Sequence, residues 1–149
     1  MFNRGKDYYK KHMYDEAIIE LTKASIINPK DADIYIYRGS AYAVKGNFEQ
    51  ALSDYSKAIA INPNRAKVYF YRGASYADNS DYEQALSDYS KAIAINPNYA
   101  NAYINRAKTY FSRQEYNKSW DDVHKAEALG AKLKETFLEQ LKKASGRGK

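Results

Sequence analysis

Apolar residues follow a helical rhythm in two successive segments of the chain. In the first segment, the apolar and aromatic residues near helical spacing are Ile34, Tyr35, Tyr42 and Val44. In the second segment, the residues that follow an i, i+3, i+4 spacing are Phe48, Ala51, Leu52, Tyr55, Ala58, Ile59 and Ile61. Gly46 and Asn47 separate the segments and tolerate a left-handed turn, whereas Pro63 disfavours helix in the residue before it. The pattern therefore predicts two helices joined by a tight turn.

This helix pair recurs every 34 residues. Residues 32–65 and 66–99 agree at 23 of 34 positions, and the sixteen-residue sequence that begins at Glu49 returns unchanged at Glu83. Pro29, Pro63 and Pro97 mark the same period. The predicted units are repeat 1 (1–31, without its first three positions), repeat 2 (32–65), repeat 3 (66–99), repeat 4 (100–130), a C-terminal capping helix (131–145) and a flexible tail (146–149).

A single pair of helices cannot bury its own apolar face, so the copies are predicted to stack into a solenoid held by nearest-neighbour contacts. Small residues such as Gly39 and Ala51 would let the two helices of a repeat approach closely. The sixteen-residue identity exceeds what packing requires, and either a recent duplication or consensus-guided engineering accounts for it.

The period and its conserved columns within the chain resemble the tetratricopeptide repeat family. The columns that carry the resemblance are Tyr35, Tyr69 and Tyr103; Gly39 and Gly73; Tyr8, Tyr42, Tyr76 and Tyr110; Ala24, Ala58, Ala92 and Ala126; and the three prolines. The resemblance covers residues 1 to about 130. It implies an all-α, right-handed superhelical solenoid of antiparallel helix pairs. Repeat 4 departs at Ala107, Ser119 and Trp120, as a terminal repeat that meets a cap would.

Two charged columns are unbroken across the four repeats. They comprise Arg4, Arg38, Arg72 and Arg106 on the first helices, and Glu20, Asp54, Asp88 and Asp122 on the second helices. The arginines stand where a leucine is usual in the family that the chain resembles. We predict that they pair with the acids as a half-buried ladder, within a repeat or across a repeat boundary. Independent surface charges are the alternative.

In the resembling family the first helices line a concave groove that holds a peptide or helix of a partner. The corresponding residues are Phe2, Asn3, Lys6, Tyr9, Ile36, Tyr37, Lys67, Phe70, Tyr71, Asn101, Ile104, Asn105 and Lys108. The same rows also include Asp33, Ser40, Ala43, Ala74, Ala77 and Phe111. The resemblance thus implies a groove with tyrosines in its middle, a side-chain type common at binding hot spots.

Chaperone-binding members of the resembling family hold an acidic C-terminus with a clamp of lysines, asparagines and an arginine. In the first three-repeat frame the corresponding residues are Phe2, Lys6, Tyr37, Lys67 and Tyr71. Only Lys67 fits. The next frame has no cation among its residues, which are Ile36, Ser40, Tyr71, Asn101 and Asn105. The sequence therefore predicts that the chain is not a carboxylate-clamp chaperone adaptor.

Composition gives no indication of catalysis, a cofactor or a metal site. The chain has no cysteine, and its two histidines, His12 and His124, lie in different repeats far apart in the inferred stack. Of the net charge of +6, residues 131–149 carry +4, so no basic face through the repeats favours nucleic acid, and RNA binding is the least favoured reading. No stretch is long and apolar enough for a membrane span, which makes a cytoplasmic location the default.

The sequence predicts a non-enzymatic scaffold whose groove binds a peptide or helix of a partner protein. An engineered or duplicated scaffold without a dedicated ligand is one alternative. Self-association is the other, because repeat 1 lacks its first residues and could expose apolar surface around Phe2, Tyr8 and Tyr9 to a second copy.

Overall fold

The computed structural model describes residues 1–146, and within that range every regular element is an α-helix. The helices are α1 (Phe2–Lys10), α2 (Tyr14–Ile27), α3 (Ala32–Val44), α4 (Phe48–Ile61), α5 (Ala66–Asp78), α6 (Tyr82–Ile95), α7 (Ala100–Ser112), α8 (Tyr116–Ala128) and α9 (Glu135–Ser145). The predicted all-α class is confirmed. Residues 147–149 of the predicted tail lie outside the described range.

Consecutive helices pack against one another along the whole stack. Each first helix packs on the second helix of its own repeat, and each second helix packs on the first helix of the next repeat. The first helices α1, α3, α5 and α7 also contact one another in sequence, so they line one common face. Their packing is that of a solenoid, with the core between neighbouring pairs instead of at one centre.

In repeats 2 and 3 the two helices approach closely where a glycine faces a tyrosine ring. A Cβ atom on Gly73 would lie 3.0 Å from a ring carbon of Tyr89, and the same geometry recurs at Gly39 in repeat 2. Repeat 4 has Ala107 in this column, and there the ring is replaced by the smaller, fully buried Val123. The column therefore contains glycine where the facing side chain is larger than valine. In repeat 1 that side chain is Leu21, whose Cγ would lie 2.6 Å from a Cβ atom on Gly5.

The turn between the two helices of each repeat places one residue in the left-handed region. Gly46 has φ +76°, and the equivalent residues His12, Ser80 and Gln114 have φ between 59° and 65°. In repeat 3 the Ser80 N–H donates to the Ala77 carbonyl, and the next N–H donates to the Tyr76 carbonyl. This pattern satisfies the last carbonyls of the helix, but it imposes left-handed strain on every residue except glycine.

The last helix covers the apolar end of repeat 4. Phe137 and Leu141 of α9 are buried against Trp120, Val123 and Ala107. The Trp120 indole N–H donates to the Ser145 hydroxyl at 3.0 Å. The predicted capping segment starts at residue 131, whereas the helix itself begins at Glu135. Residues 131–134 form a non-helical connection after Gly130, which ends the preceding segment with φ +82°.

Arginines and carboxylates of the predicted ladder meet within each repeat. Arg38 donates from Nε and Nη2 to both carboxylate oxygens of Asp54, each at 2.8 Å. The two later pairs have the same bidentate geometry, with distances of 2.7–2.8 Å for Arg72 with Asp88 and 2.7 Å for Arg106 with Asp122. The carboxylates are almost fully buried.

The same guanidinium groups also reach the preceding repeat. Nη1 of Arg72 donates to the Ser56 hydroxyl at 3.0 Å, and Nη1 of Arg106 donates to the Ser90 hydroxyl at 2.9 Å. Arg38 donates in the same way to Thr22 and Ser25. Each of these arginines therefore connects three helices: its own first helix, the second helix of the same repeat and the second helix of the preceding repeat.

Repeat 1 has a weaker version of this contact. Arg4 and Glu20 approach only to 3.9 Å, and 69% of the Arg4 side chain is exposed. In the described residues no second helix packs before α1 to supply a hydroxyl acceptor. Repeat 1 thus has the same arginine column as the other repeats but lacks their bidentate contact with the carboxylate. A substitution at Arg4 can therefore be compared with the same substitution at a paired arginine.

We expect Arg72→Leu to lower the free energy of unfolding by about 3 kcal/mol, because it leaves the Asp88 carboxylate buried without its partner. The equivalent change Arg4→Leu is expected to cost less than about 1 kcal/mol, since Arg4 is exposed, its contact is long, and Glu20 keeps Lys23 as a partner at 2.8 Å. The double variant Arg72→Leu/Asp88→Ala should recover at least half of the loss. Urea denaturation followed by circular dichroism measures all three, and equal effects at the two arginines would contradict the role of burial.

We expect Ser80→Gly to raise the free energy of unfolding by about 1 kcal/mol, because glycine adopts φ +65° without the penalty that a Cβ atom brings. Ser53→Gly is the matched control. Ser53 is an exposed residue inside α4, where glycine should cost about 0.5–1 kcal/mol. The two changes should therefore shift the melting temperature in opposite directions, and a shared direction would show that the turn is not strained.

Candidate functional site

One stripe of side chains on each first helix faces the common surface of the stack. On α5 this stripe consists of Lys67, Tyr71, Ala74 and Asp78, which are spaced i, i+4, i+7 and i+11. Three cavities lie along the surface. The N-terminal cavity, between α1, α3 and α5, has a volume of about 400 Å³, the central cavity between α3 and α5 about 250 Å³, and the C-terminal cavity between α5 and α7 about 360 Å³.

These cavities join into one groove because neighbouring cavities share walls. Tyr9, Ser40 and Tyr71 line both the N-terminal and the central cavity. Ala74 and Asp78 line both the central and the C-terminal cavity. The groove therefore crosses α1, α3, α5 and α7 without interruption, and the residue chemistry changes along its length.

The N-terminal cavity carries an excess of positive charge. Among the described residues, Asp33 is the only acidic residue that lines this cavity. Its carboxylate accepts a hydrogen bond from Arg65 Nη1 at 2.6 Å. The remaining cations are Lys6, Lys10 and Lys67, and no carboxylate of residues 1–146 lies within 4 Å of their ammonium groups. These three lysines are thus available to a ligand.

Tyrosine rings form the floor between the lysines. Lys6 Nζ lies 5.4 Å from the ring centroid of Tyr37, and Lys67 Nζ lies 5.5 Å from that of Tyr71. Tyr37 in turn packs edge-on against Phe2 and Tyr9 at 6.0 and 5.6 Å. The contacts between rings restrict the tyrosine side chains before a ligand binds, so these side chains lose little rotamer freedom on binding. Each ring also has a lysine ammonium group close to its face.

Asp78 gives the other end of the groove a different character. It is the last residue of α5 and lines the central and C-terminal cavities beside Tyr82 and Tyr89. Its carboxylate makes no hydrogen bond or ion pair with residues 1–146, although Lys108 lines the same C-terminal cavity. The residue is exposed, but partial desolvation of its carboxyl at the cavity wall raises the pKa of Asp78. A cationic group from a ligand would find an unpaired acceptor here.

Burial favours the neutral form of two tyrosines that line the groove and of Tyr99, which packs behind it. Burial raises the pKa of Tyr55, whose hydroxyl lies 3.0 Å from that of Ser40, and the pKa of Tyr89 is raised for the same reason. Burial also raises the pKa of Tyr99 to about 12, and its ring lies 5.0 Å from that of Phe70.

The predicted groove residues divide into two groups in the structure. Those that line the three cavities are Lys6, Tyr9, Ile36, Tyr37, Lys67, Tyr71, Asn105 and Lys108. Those that do not line them are Phe2, Asn3, Phe70, Asn101 and Ile104. Phe2 and Phe70 support tyrosine rings instead, because each packs against one of them. Asn3 and Asn101 are exposed at positions next to the groove.

The fourth position of the stripe is not among the groove residues that the sequence predicted. That column contains Lys10, Val44, Asp78 and Ser112, all of which line a cavity. Extending the spacing on α5 from Lys67 by eleven residues would have located Asp78, so the signal was present. Arg65 was also missed, because it belongs to the loop before α5 and not to the helical pattern.

The apolar surface of repeat 1 differs from the one expected. Phe2, Tyr8 and Tyr9 are half-buried against the core of repeat 1, because they pack with Leu21 and Ile34. The exposed apolar side chains of this repeat lie mostly on α2. They include Ile19, Ile26 and Ile27, which are 55%, 77% and 68% exposed.

Residues 1–146 contain neither a candidate metal site nor a candidate membrane span. No cluster of three or more histidine or acidic side chains is arranged to hold a metal ion. None of the helices in that range combines the length and apolarity that a membrane span requires.

Sequence models of known families match the repeats. The tetratricopeptide repeat model matches residues 32–65 and 66–99, and a second model with that description matches residues 89–121. Together they span residues 32–121. A comparison with curated protein sequences gives no match.

Solved structures with the same fold include three informative relatives. The first tetratricopeptide repeat domain of Spaghetti (RPAP3), solved with the HSP90 peptide SRMEEVD, is 32% identical, with 74% of this chain and 88% of that chain covered and a TM-score of 0.73. MamA is 25% identical (87% and 75% covered, TM-score 0.84). YrrB, described as having an unusual peptide-binding site, is 25% identical (84% and 64% covered, TM-score 0.77).

The raised tyrosine pKa values predict a loss of stability at alkaline pH. Since folding favours the neutral phenol, the contribution of these tyrosines to the free energy of unfolding should be constant below about pH 10 and should fall as the pH rises towards 12. Tyr99→Phe removes one of the groups and keeps its ring, so this variant should lose less stability over the same interval. Urea denaturation at a series of pH values measures the effect. An identical pH dependence in both proteins would contradict it.

Proposed function

Because the chain belongs to the tetratricopeptide repeat family, we propose that it is a non-enzymatic interaction scaffold that binds a peptide of a partner protein in the groove. We propose a cytoplasmic location for this role. Two of the similar structures support a peptide as the ligand, since one was solved with a peptide and the other is described by its peptide-binding site.

One observation carries the proposal: the groove is continuous across four first helices, and its floor presents ordered but accessible aromatic rings. Tyr37 and Tyr71 are half-buried, so each can still cover part of a ligand. Aromatic side chains with a polar tip contribute large contact area at low entropic cost, which is why they dominate binding hot spots. The cavities are large enough for individual side chains of a peptide but are open to solvent along the groove.

The partner that we propose is not the carboxyl terminus of a chaperone. Of the residues that correspond to the family's carboxylate clamp, Tyr37 and Tyr71 place rings where the clamp has amide or guanidinium groups. The relative solved with the peptide SRMEEVD is 32% identical to this chain. This chain nevertheless has tyrosine at positions 37 and 71, without the amide or guanidinium group of the clamp. The aromatic rings favour a ligand that buries apolar side chains between charged groups.

We expect Tyr37→Ala/Tyr71→Ala to lose at least tenfold in affinity for peptides selected from a random displayed library against the unaltered protein. Helix content by circular dichroism should stay unchanged, because both rings lie at the surface of the stack. Ser87→Ala/Lys91→Ala is the matched control, since both residues are exposed on α6 outside the groove. It should bind normally.

Two results would contradict the proposal. If the selection gives no peptide above background, the chain is a scaffold without a dedicated peptide ligand. If the selected peptides bind the tyrosine variant and the unaltered protein equally, the binding surface lies elsewhere, and the α6 control then helps to locate it.

A further inference from the structure

We propose that the groove selects an extended peptide of defined charge order, with acidic side chains in the N-terminal cavity and a basic side chain at Asp78, about five residues apart. This inference rests on the proposed function and names the chemistry of the ligand. It follows from the distribution of unpaired charges along the groove, which the family resemblance does not predict.

Acidic side chains are favoured at the N-terminal cavity by three unpaired ammonium groups. Lys6 and Lys10 project from α1 and Lys67 from α5, so they surround the cavity from two sides. The Asp33 carboxylate does not neutralise them, because Arg65 is its partner at 2.6 Å. Neighbouring cations in one concave site repel one another, and an acidic ligand relieves that repulsion.

A basic side chain is favoured at the opposite end by a carboxylate among aromatic rings. Asp78 has no hydrogen bond or ion pair with residues 1–146, and Tyr82 and Tyr89 line the same cavity. A guanidinium group could pair with the carboxylate and stack on a ring at once, and arginine does both well. Lys108 weakens the negative potential but makes no ion pair with Asp78 in the described residues.

The separation of Asp78 from the Lys67 side of the N-terminal cavity follows from helix geometry. Lys67 and Asp78 stand at opposite ends of the α5 stripe, eleven residues apart. At a rise of about 1.5 Å per residue they are about 16 Å apart along the helix axis. An extended peptide with about 3.1 Å per residue spans that distance in about five residues. A ligand whose acidic and basic residues are about five positions apart therefore matches the two ends better than a ligand with adjacent charges.

The ligand is expected to be extended because the groove offers polar groups for a peptide backbone. Asn105 and Ser40 line the cavities, and Asn3 and Asn101 are exposed next to them. A helix satisfies its own N–H and C=O groups and gains little from these amides, whereas an extended backbone needs such partners.

The test uses fluorescent hexapeptides of equal composition in fluorescence anisotropy. The peptides Glu-Glu-Leu-Pro-Leu-Arg and Arg-Leu-Pro-Leu-Glu-Glu separate the charges in the two possible chain directions. The peptide Leu-Pro-Leu-Glu-Glu-Arg has the same residues with adjacent charges. We expect at least one of the separated peptides to bind about fivefold or more tightly than the adjacent one, with a difference that shrinks at high salt.

Charge-reversal variants identify the two ends. Asp78→Lys should weaken the separated peptides about tenfold and improve binding of a peptide in which the arginine is replaced by glutamate. Lys67→Glu should weaken the separated peptides and improve binding of a peptide with lysines in place of its glutamates. Asp121→Lys and Lys91→Glu are the matched controls, because both residues are exposed on second helices. These controls should change none of the affinities by more than about twofold.

The outcomes separate this inference from the proposed function. If separated and adjacent peptides bind equally and both lose affinity in Tyr37→Ala/Tyr71→Ala, the charge order is wrong while the groove function stands. If neither these peptides nor any library peptide binds, the proposed function fails as well. If an oligouridine RNA binds more tightly than every peptide and competes for the groove, the lysines serve phosphates and the inference is overturned.

Discussion

The stack depends on a guanidinium group that satisfies acceptors on three helices at once. Each of Arg38, Arg72 and Arg106 binds both oxygens of a buried carboxylate in its own repeat and a hydroxyl of the repeat before. A buried ion pair contributes little net stability, since desolvation offsets most of its attraction. Its geometry is nevertheless demanding, because a shifted repeat would leave a carboxylate buried without a partner. The ladder therefore determines register between repeats, and apolar contacts provide the driving force.

Packing within a repeat follows from a matched choice of small and large residues. The tyrosines at 55 and 89 fill the space that glycine opens on the facing helix, and repeat 4 makes the opposite choice with alanine and valine. Those two tyrosines also reach the groove, where their rings line the central and C-terminal cavities. The same side chains thus connect the core with the candidate binding surface, so packing in the core determines where these rings lie in the groove.

The sequence was sufficient for the fold and only partly sufficient for the site. A period of 34 residues determines which helices pair, and the alternation of helix and turn gives their bounds closely, except that α9 begins four residues after the predicted segment. Column alignment placed Lys67 and Tyr71 in the groove. It could not show that Phe2 and Phe70 turn inward to support other rings, since side-chain packing depends on neighbours from other repeats. Arg65 neutralises Asp33 from a loop, a contact that no helical period contains.

Where the repeats are identical and where they differ has a physical meaning. The sixteen residues shared from Glu49 and Glu83 lie on the second helices and the following loop, where each copy meets the same neighbours and needs the same surface. The fourth position of the stripe is lysine in α1, valine in α3, aspartate in α5 and serine in α7. Stacking does not require this variation, because these side chains face solvent. A repeated surface alone would present the same charge at every step, so the differences along the first helices are what give the groove a direction.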